Sequence, residues 1–333
     1  MRIGNKVLKT AIIVVILISL GILIRTTDLQ KVISSIRLIG FRFFLLLLIT
    51  FIAYLLATIG WKYCFKKEAR ILSIYDLFLI RHVGEMLSIV NPASVVGGEA
   101  MKIYMLQNKG IEKTDVVASV LISRVMMAIT QVIIFVISLT VVYSSNTHLF
   151  DSLPHLQLKL TVTLVLSIML TALVIKSHYI TRLVTNSKFY LLIKKFVYQW
   201  KLKQVFSTIN GFFQKDLKSL LCCTFFFLIH WIIGSLEVYF ILFFLGIKAS
   251  LFQIILADMG IVLFKAAGAF VPGQIGVEEM GNKIMLGFIG ISNDEIWITV
   301  SILRRTRQLF WIVIGLTAYL IYSKRVNNLP DLS

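Results

Sequence analysis

Charge is scarce in this chain. Asp, Glu, Lys and Arg make up 15% of its 333 residues, against roughly 25% in soluble globular domains. Acidic residues are scarcer still, 16 against 34 Lys and Arg, which leaves a formal charge of +18. With 58% hydrophobic residues and a mean hydropathy of +0.88, this deficit excludes a water-soluble fold and places most of the chain in lipid. Cysteine is nearly absent. Cys64, Cys222 and Cys223 lie inside apolar segments without paired spacing, which supports neither a disulfide framework nor a metal site. No HExxH, P-loop or nucleophile beside a base occurs, so neither a catalytic constellation nor a cofactor is expected. The excess cations sit between long apolar runs and not along one polar face, so they read as membrane orientation signals and exclude a nucleic-acid partner.

A hydrocarbon core about 30 Å thick needs roughly 20 apolar helical residues per crossing. Six crossings are expected, near 7–24, 41–65, 115–143, 157–175, 219–245 and 294–323. The first follows Arg2, Lys6 and Lys9 but has no small-residue cleavage site after it, so it is read as an uncleaved helix. Two further apolar stretches, 74–108 and 251–290, are interrupted by Asn91-Pro-Ala-Ser-Val-Val-Gly-Gly-Glu99 and by Val271-Pro-Gly-Gln-Ile-Gly-Val-Glu-Glu279. Short basic loops stay cytoplasmic. Lys62–Arg70 and 176–218 are strongly basic, whereas 144–156 has no Lys or Arg, so both termini are expected on the cytoplasmic side of the cell membrane. The loop 25–42, with Arg25, Lys31, Arg37 and Arg42, dissents. The interrupted stretches then become re-entrant hairpins, one entering from each side.

Sliding the chain by 180 residues against itself aligns Pro92 with Pro272, Glu99 with Glu279, Gly110 with Gly290 and Arg124 with Arg304, with nine identities over 33 positions from 92 to 124. Two repeats follow, about 41–143 and 219–323, joined by the basic linker 176–218. Because they enter from opposite sides, the repeat is inverted, the architecture of carriers whose broken helices meet near the midplane.

Irregular backbone at membrane depth survives only where it lines a cavity or is covered by protein. The turns at Asn91, Pro92, Gly97, Gly98 and at Pro272, Gly273, Gly276 are therefore expected to line one, with helix N-termini suited to an anion. Ionisable groups near them are candidates by position: Glu85, Glu99, Lys102, Lys265, Glu278, Glu279 and Lys283, followed by Arg124 and Arg304. Glu99–Lys102 and Glu279–Lys283 are spaced for local ion pairs, and the sequence leaves pairing and transport roles equally open. Arg124 and Arg304 have no acidic partner one turn away and suit bidentate phosphate binding. Asp258, Glu237 and His230 read as helix–helix hydrogen bonds. The Lys- and aromatic-rich stretch 188–218 reads either as an amphipathic helix on anionic lipid or as a plain cytoplasmic loop.

Gly84-Glu-Met-Leu-Ser-Ile-Val-Asn-Pro-Ala-Ser-Val-Val-Gly-Gly-Glu-Ala-Met-Lys102, the Arg124 helix and Pro272-Gly-Gln-Ile-Gly-Val-Glu-Glu279 resemble the lysylphosphatidylglycerol synthase transmembrane (flippase-like) family across roughly residues 7–323. The resemblance implies a domain that moves lipids or lipid-linked intermediates between leaflets. It marks Pro92, Gly98, Glu99 and Arg124, and Pro272, Gly273, Gly276 and Glu278. The soluble synthetase of bifunctional members is not found before Ser333, so lysyl transfer is not carried over. The expectation is an all-α polytopic membrane protein, not an enzyme, that flips an anionic phospholipid or polyprenyl-phosphate-linked lipid held by Arg124 and Arg304, with Glu99 and Glu278 or Glu279 balancing charge or carrying protons. A homodimer is expected from the unassigned apolar face of 41–65. The rival readings are an accessory scaffold for a biosynthetic partner enzyme and a membrane-embedded lipid transferase.

Overall fold

The computed structural model describes residues 33–145 and 202–327 apart from 35–36, 71, 91–93, 108, 269–270, 272–273 and 275. The expected crossings 7–24 and 157–175, most of the loops 25–42 and 144–156, the linker up to 201, and Asn91, Pro92, Pro272 and Gly273 lie outside the described residues. Those residues form nine α-helices and no strand. They are α1 (Phe43–Tyr63), α2 (Ile74–Val90), α3 (Ser94–Gln107), α4 (Lys113–Ser145), α5 (Leu202–Lys215), α6 (Leu217–Phe244), α7 (Leu251–Ala267), α8 (Val277–Phe288) and α9 (Asp294–Asn327).

Length and composition explain the long elements. α1 has no charge before Lys62, and its 21 residues rise about 30 Å, enough to cross a hydrocarbon core. Three described helices are long and apolar enough to do so, 37–63, 113–145 and 217–244. α9 is 34 residues long, but Arg304, Arg305 and Arg307 interrupt its apolar run. The stretches 74–108 and 251–290 each form two helices, α2–α3 and α7–α8. Polarity is reversed relative to a soluble protein. Phe44, Leu48, Leu121, Ile137, Leu221, Phe225, Val313 and Leu320 are exposed, while Arg81, Lys102, Glu237, Asp258, Glu278 and Arg304 are buried. Only an apolar solvent favours that arrangement.

Packing follows one plan in both halves. α1 packs on α6, α2 on α3, and α7 on α8. In addition α2 packs on α9 and α7 on α4, so the first helix of each hairpin lies against the long helix of the other half. Each hairpin ends in the same turn, with left-handed Gly110 (φ +78°) and Gly290 (φ +93°) 180 positions apart.

The α2–α3 hairpin depends on close backbone approach. A Cβ on Gly98 would collide with the Gly84 carbonyl oxygen and the Ser88 hydroxyl, and backbone cannot yield as a flexible side chain can. Gly98→Ala is therefore expected to destabilise the protein by about 1–3 kcal/mol, the usual cost of overpacking. Thermal unfolding in detergent micelles checks this, and an unchanged melting temperature would show that the contact is not needed.

The described part of the basic stretch corrects the lipid-surface reading. On α5, Val205, Phe212 and Phe213 are buried in the main hydrophobic cluster, against α4 and α6. Its apolar face is covered by protein, which accounts for its amphipathic pattern without lipid. α6 starts at Asp216, whose Oδ1 accepts from the Ser219 amide (3.2 Å) and whose Oδ2 pairs with Arg70 (3.2 Å). Partial burial pushes the Asp216 carboxyl up, but hydrogen bonds from Ser219 and the Arg70 charge hold it below its ordinary value.

Candidate functional site

α1, α2, α4, α6, α7 and α9 enclose a cavity of about 380 Å³ between the two halves. Three of these helices reach it with a stripe of mostly polar residues cut into an apolar sequence. On α2 the stripe is Arg81, Glu85 and Ser88; on α4 it is Arg124, Ala128 and Gln131; on α9 it is Arg307, Gln308 and Trp311. On α2 and α4 the spacings are four, three and seven residues, and on α9 Arg307 and Gln308 lie four and three residues before Trp311, so each set faces one side of its helix. Tyr54, Trp231, Lys265 and Gln274 complete the polar and aromatic wall. Four cations, Arg81, Arg124, Lys265 and Arg307, thus face one carboxylate, Glu85.

Three of these cations are held by carboxylates. Arg124 pairs with Glu85 (3.2 Å) and, at closer range, with Glu99. Lys102 lies between the same two acids, 2.9 Å from Glu85 and 3.0 Å from Glu99. Lys265 Nζ lies 3.3 Å from Glu278 Oε2. Arg307 Nε lies 2.6 Å from Glu237 Oε1, and its Nη1 donates to the Tyr54 hydroxyl at 2.8 Å. Arg81 differs. It is 6% exposed, no described carboxylate reaches it within salt-bridge distance, and its Nη1 has no hydrogen-bond partner. Its guanidinium lies 4.9 Å from the centre of the Tyr54 ring, a cation–π contact.

Behind the cavity, Arg304 is surrounded. Its Nη1 is 2.8 Å from Asp258, and its Nε is 3.3 Å from Glu278 and 4.0 Å from Glu237. Asp258 also accepts from the Ser235 hydroxyl (3.0 Å). One residue further, Arg305 Nε donates to Glu279 Oε1 at 2.5 Å. The other oxygen of Glu279 accepts from the Gly276 amide at 2.8 Å. Gly276 sits at φ +82°, where a side chain would be strained, so this Gly and Glu together start α8 and fasten it to α9.

The candidate residues therefore separate. Glu85, Arg124 and Lys265 line the cavity. Glu99, Lys102 and Glu278 stand directly behind it as ion-pair partners, and Gly97 and Gly98 lie in the first turns of α3. Arg304 and Glu279 do not line it. Lys283 is exposed and lies 3.6 Å from Asp294, not beside Glu279. Arg124 and Arg304 have no acidic partner one turn away, as the sequence indicates, but partners arrive from other helices: Glu85 and Glu99 for one, Glu237, Asp258 and Glu278 for the other. Glu237 and Asp258 act in addition as counter-ions, while Asp258 and His230 both bond between helices as expected, Asp258 from the Ser235 hydroxyl (3.0 Å) and His230 through Nδ1 to the Ala53 carbonyl (2.8 Å). The sequence points to Arg307 only as a close follower of Arg304 and to Arg81 only as an interface residue, and it does not single out Gln131 or Gln308. The signal available was the polar stripe at helical spacing.

A cavity whose wall is mainly apolar, with Tyr54, Trp231 and Trp311 and four cations against one carboxylate among its lining residues, suits an anion with an apolar body. No curated protein and no solved structure matched the sequence in comparison. Residues 7–316 match the family described as lysylphosphatidylglycerol synthase TM region, and this all-helical membrane protein belongs to that family.

Proposed function

We propose that this protein moves an anionic lipid between leaflets, with the phosphate of the head group bound in the central cavity and the acyl or prenyl chains left in the bilayer. The observation that carries the reading is the wall of four cations against one carboxylate. Arg124, Lys265 and Arg307 have carboxylate counter-ions of their own, so the charge left open to a ligand is that of Arg81. An unmatched charge at membrane depth is unfavourable, and a phosphate supplies the counter-charge. Arg81 and Arg124 are the grips, with Lys265 and Arg307 closing from the second half.

The inverted repeat belongs to this reading. The 180-residue offset places Glu85 and Lys265 at equivalent positions, and both line the same cavity. The reciprocal packing of α2 on α9 and α7 on α4 supports two halves that rock about a shared site, the motion of alternating access. The loop charges orient both termini to the cytoplasm.

The test is leaflet exchange of labelled lipids in proteoliposomes. Phosphatidylglycerol and a polyprenyl phosphate are expected to exchange faster than phosphatidylcholine. A lysylated phosphatidylglycerol, whose head group is net positive, is expected to be excluded by the cationic wall. Equal exchange of anionic and zwitterionic lipids would reduce the protein to a scramblase, and no exchange above protein-free vesicles would end the transport reading.

A further inference from the structure

Two of the cavity cations serve two masters by position. Arg307 and Lys265 line the cavity, yet each also neutralises a carboxylate outside it, Glu237 and Glu278 respectively. With Arg304 and Asp258 they form a group of three cations and three carboxylates, all three acidic side chains being only 3–6% exposed. The group is neutral as it stands. A phosphate that draws Arg307 and Lys265 toward the cavity leaves three buried carboxylates facing Arg304 alone.

We infer that head-group binding is coupled to uptake of a proton by Glu237, so that lipid and proton move together. This rests on the anionic-lipid reading above. Uncompensated charge in a buried site drives a carboxylate to its neutral form. Glu237 is the acceptor because it depends most on Arg307, at 2.6 Å, while Arg304 is 4.0 Å away. Asp258 keeps Arg304 at 2.8 Å and Ser235 at 3.0 Å, and Glu278 keeps Arg304 at 3.3 Å. The groups facing Glu237 are Arg304 and Arg307 from α9, Asp258 from α7, Glu278 from α8 and, through Arg307, Tyr54 from α1. The proton comes from water, adds to a Glu237 carboxylate oxygen, and leaves again when the phosphate departs and Arg307 returns. The first-half cluster depends less on a proton, because Glu85 and Glu99 both stay within 3.0 Å of Lys102 and their side chains are 35% and 15% exposed, so the one charge left uncompensated if Arg124 turns away is partly solvated.

The experiment is calorimetric titration of the full-length protein in detergent with dihexanoyl phosphatidylglycerol, in two buffers of different ionisation heat. Uptake of about one proton per lipid is expected, with affinity falling up to about tenfold per unit rise in pH. Glu237→Gln is expected to bind with no buffer dependence and a flat pH profile, while Glu279→Gln, outside the group, keeps both dependences. Binding by the wild type with identical heats in both buffers overturns the coupling and leaves the anionic-lipid reading standing. Absence of binding overturns both. Should Glu237→Gln fail to fold, the wild-type comparison decides alone.

Discussion

Arg81→Gln is expected to slow exchange of anionic lipid by roughly 30-fold or more while the protein stays folded. The magnitude corresponds to loss of one partner of a desolvated charge pair, about 2–5 kcal/mol. The retention of fold follows from what Arg81 does not do. Among the described residues it holds no carboxylate, and Glu85, one turn along the same helix, is already satisfied by Lys102 and Arg124. Removing Arg81 therefore orphans no buried acid, whereas removing Arg124 takes a partner from both Glu85 and Glu99. Arg81→Lys is expected to fall between Gln and wild type, since an ammonium keeps the charge but loses the planar fork that grips two phosphate oxygens and stacks on Tyr54. Exchange rates in proteoliposomes, set beside melting temperatures of the same preparations, check the prediction. Wild-type exchange by Arg81→Gln would remove Arg81 from the site.

That residue also marks the boundary of what a sequence can reveal here. The lipid solvent was legible from the apolar runs, and α1, α4, α6 and α9 fall on expected crossings because helix length and hydropathy are local properties. The broken stretches were legible too, since Gly110 and Gly290 close the same turn at the same offset. Lys265 and Arg124 were found by position near the breaks. Isolation of a cation is another kind of property. Arg124 has no acid one turn away along the chain yet is paired in space, whereas Arg81 has Glu85 one turn away and yet no carboxylate within salt-bridge distance among the described residues. Glu237 and Asp258 look like stray polar residues in apolar helices, and their meaning appears only when α6 and α7 bring them to α9. Lys283 failed for a related reason. Its spacing from Glu279 suits an ion pair, but Glu279 already binds the Gly276 amide and Arg305, and a carboxylate so engaged leaves a solvent-exposed Lys to Asp294. Local spacing permits a pair, and tertiary competition decides it.

Arg304→Ala is expected to destabilise the fold itself, by about 3–5 kcal/mol, the cost of breaking a buried ion pair from one side. The guanidinium is 6% exposed and faces three carboxylates contributed by α6, α7 and α8. Without it, Glu237, Asp258 and Glu278 share only Arg307 and Lys265, both of which are also committed to the cavity. This outcome would look like loss of transport in an exchange assay, so the assay alone cannot separate a binding residue from a structural one. Neutralising the acid side separates them. Arg304→Met combined with Asp258→Asn removes one charge of each sign and is expected to recover much of the lost melting temperature, since replacing a buried pair by groups of similar volume is often close to neutral. A head-group role for Arg304 predicts the opposite pattern: a single substitution with unchanged melting and abolished exchange, and no rescue of exchange in the double variant. The structure favours the first pattern because Arg304 faces three carboxylates of its own and does not line the cavity, which makes it a fixed charge on which α6, α7 and α8 converge.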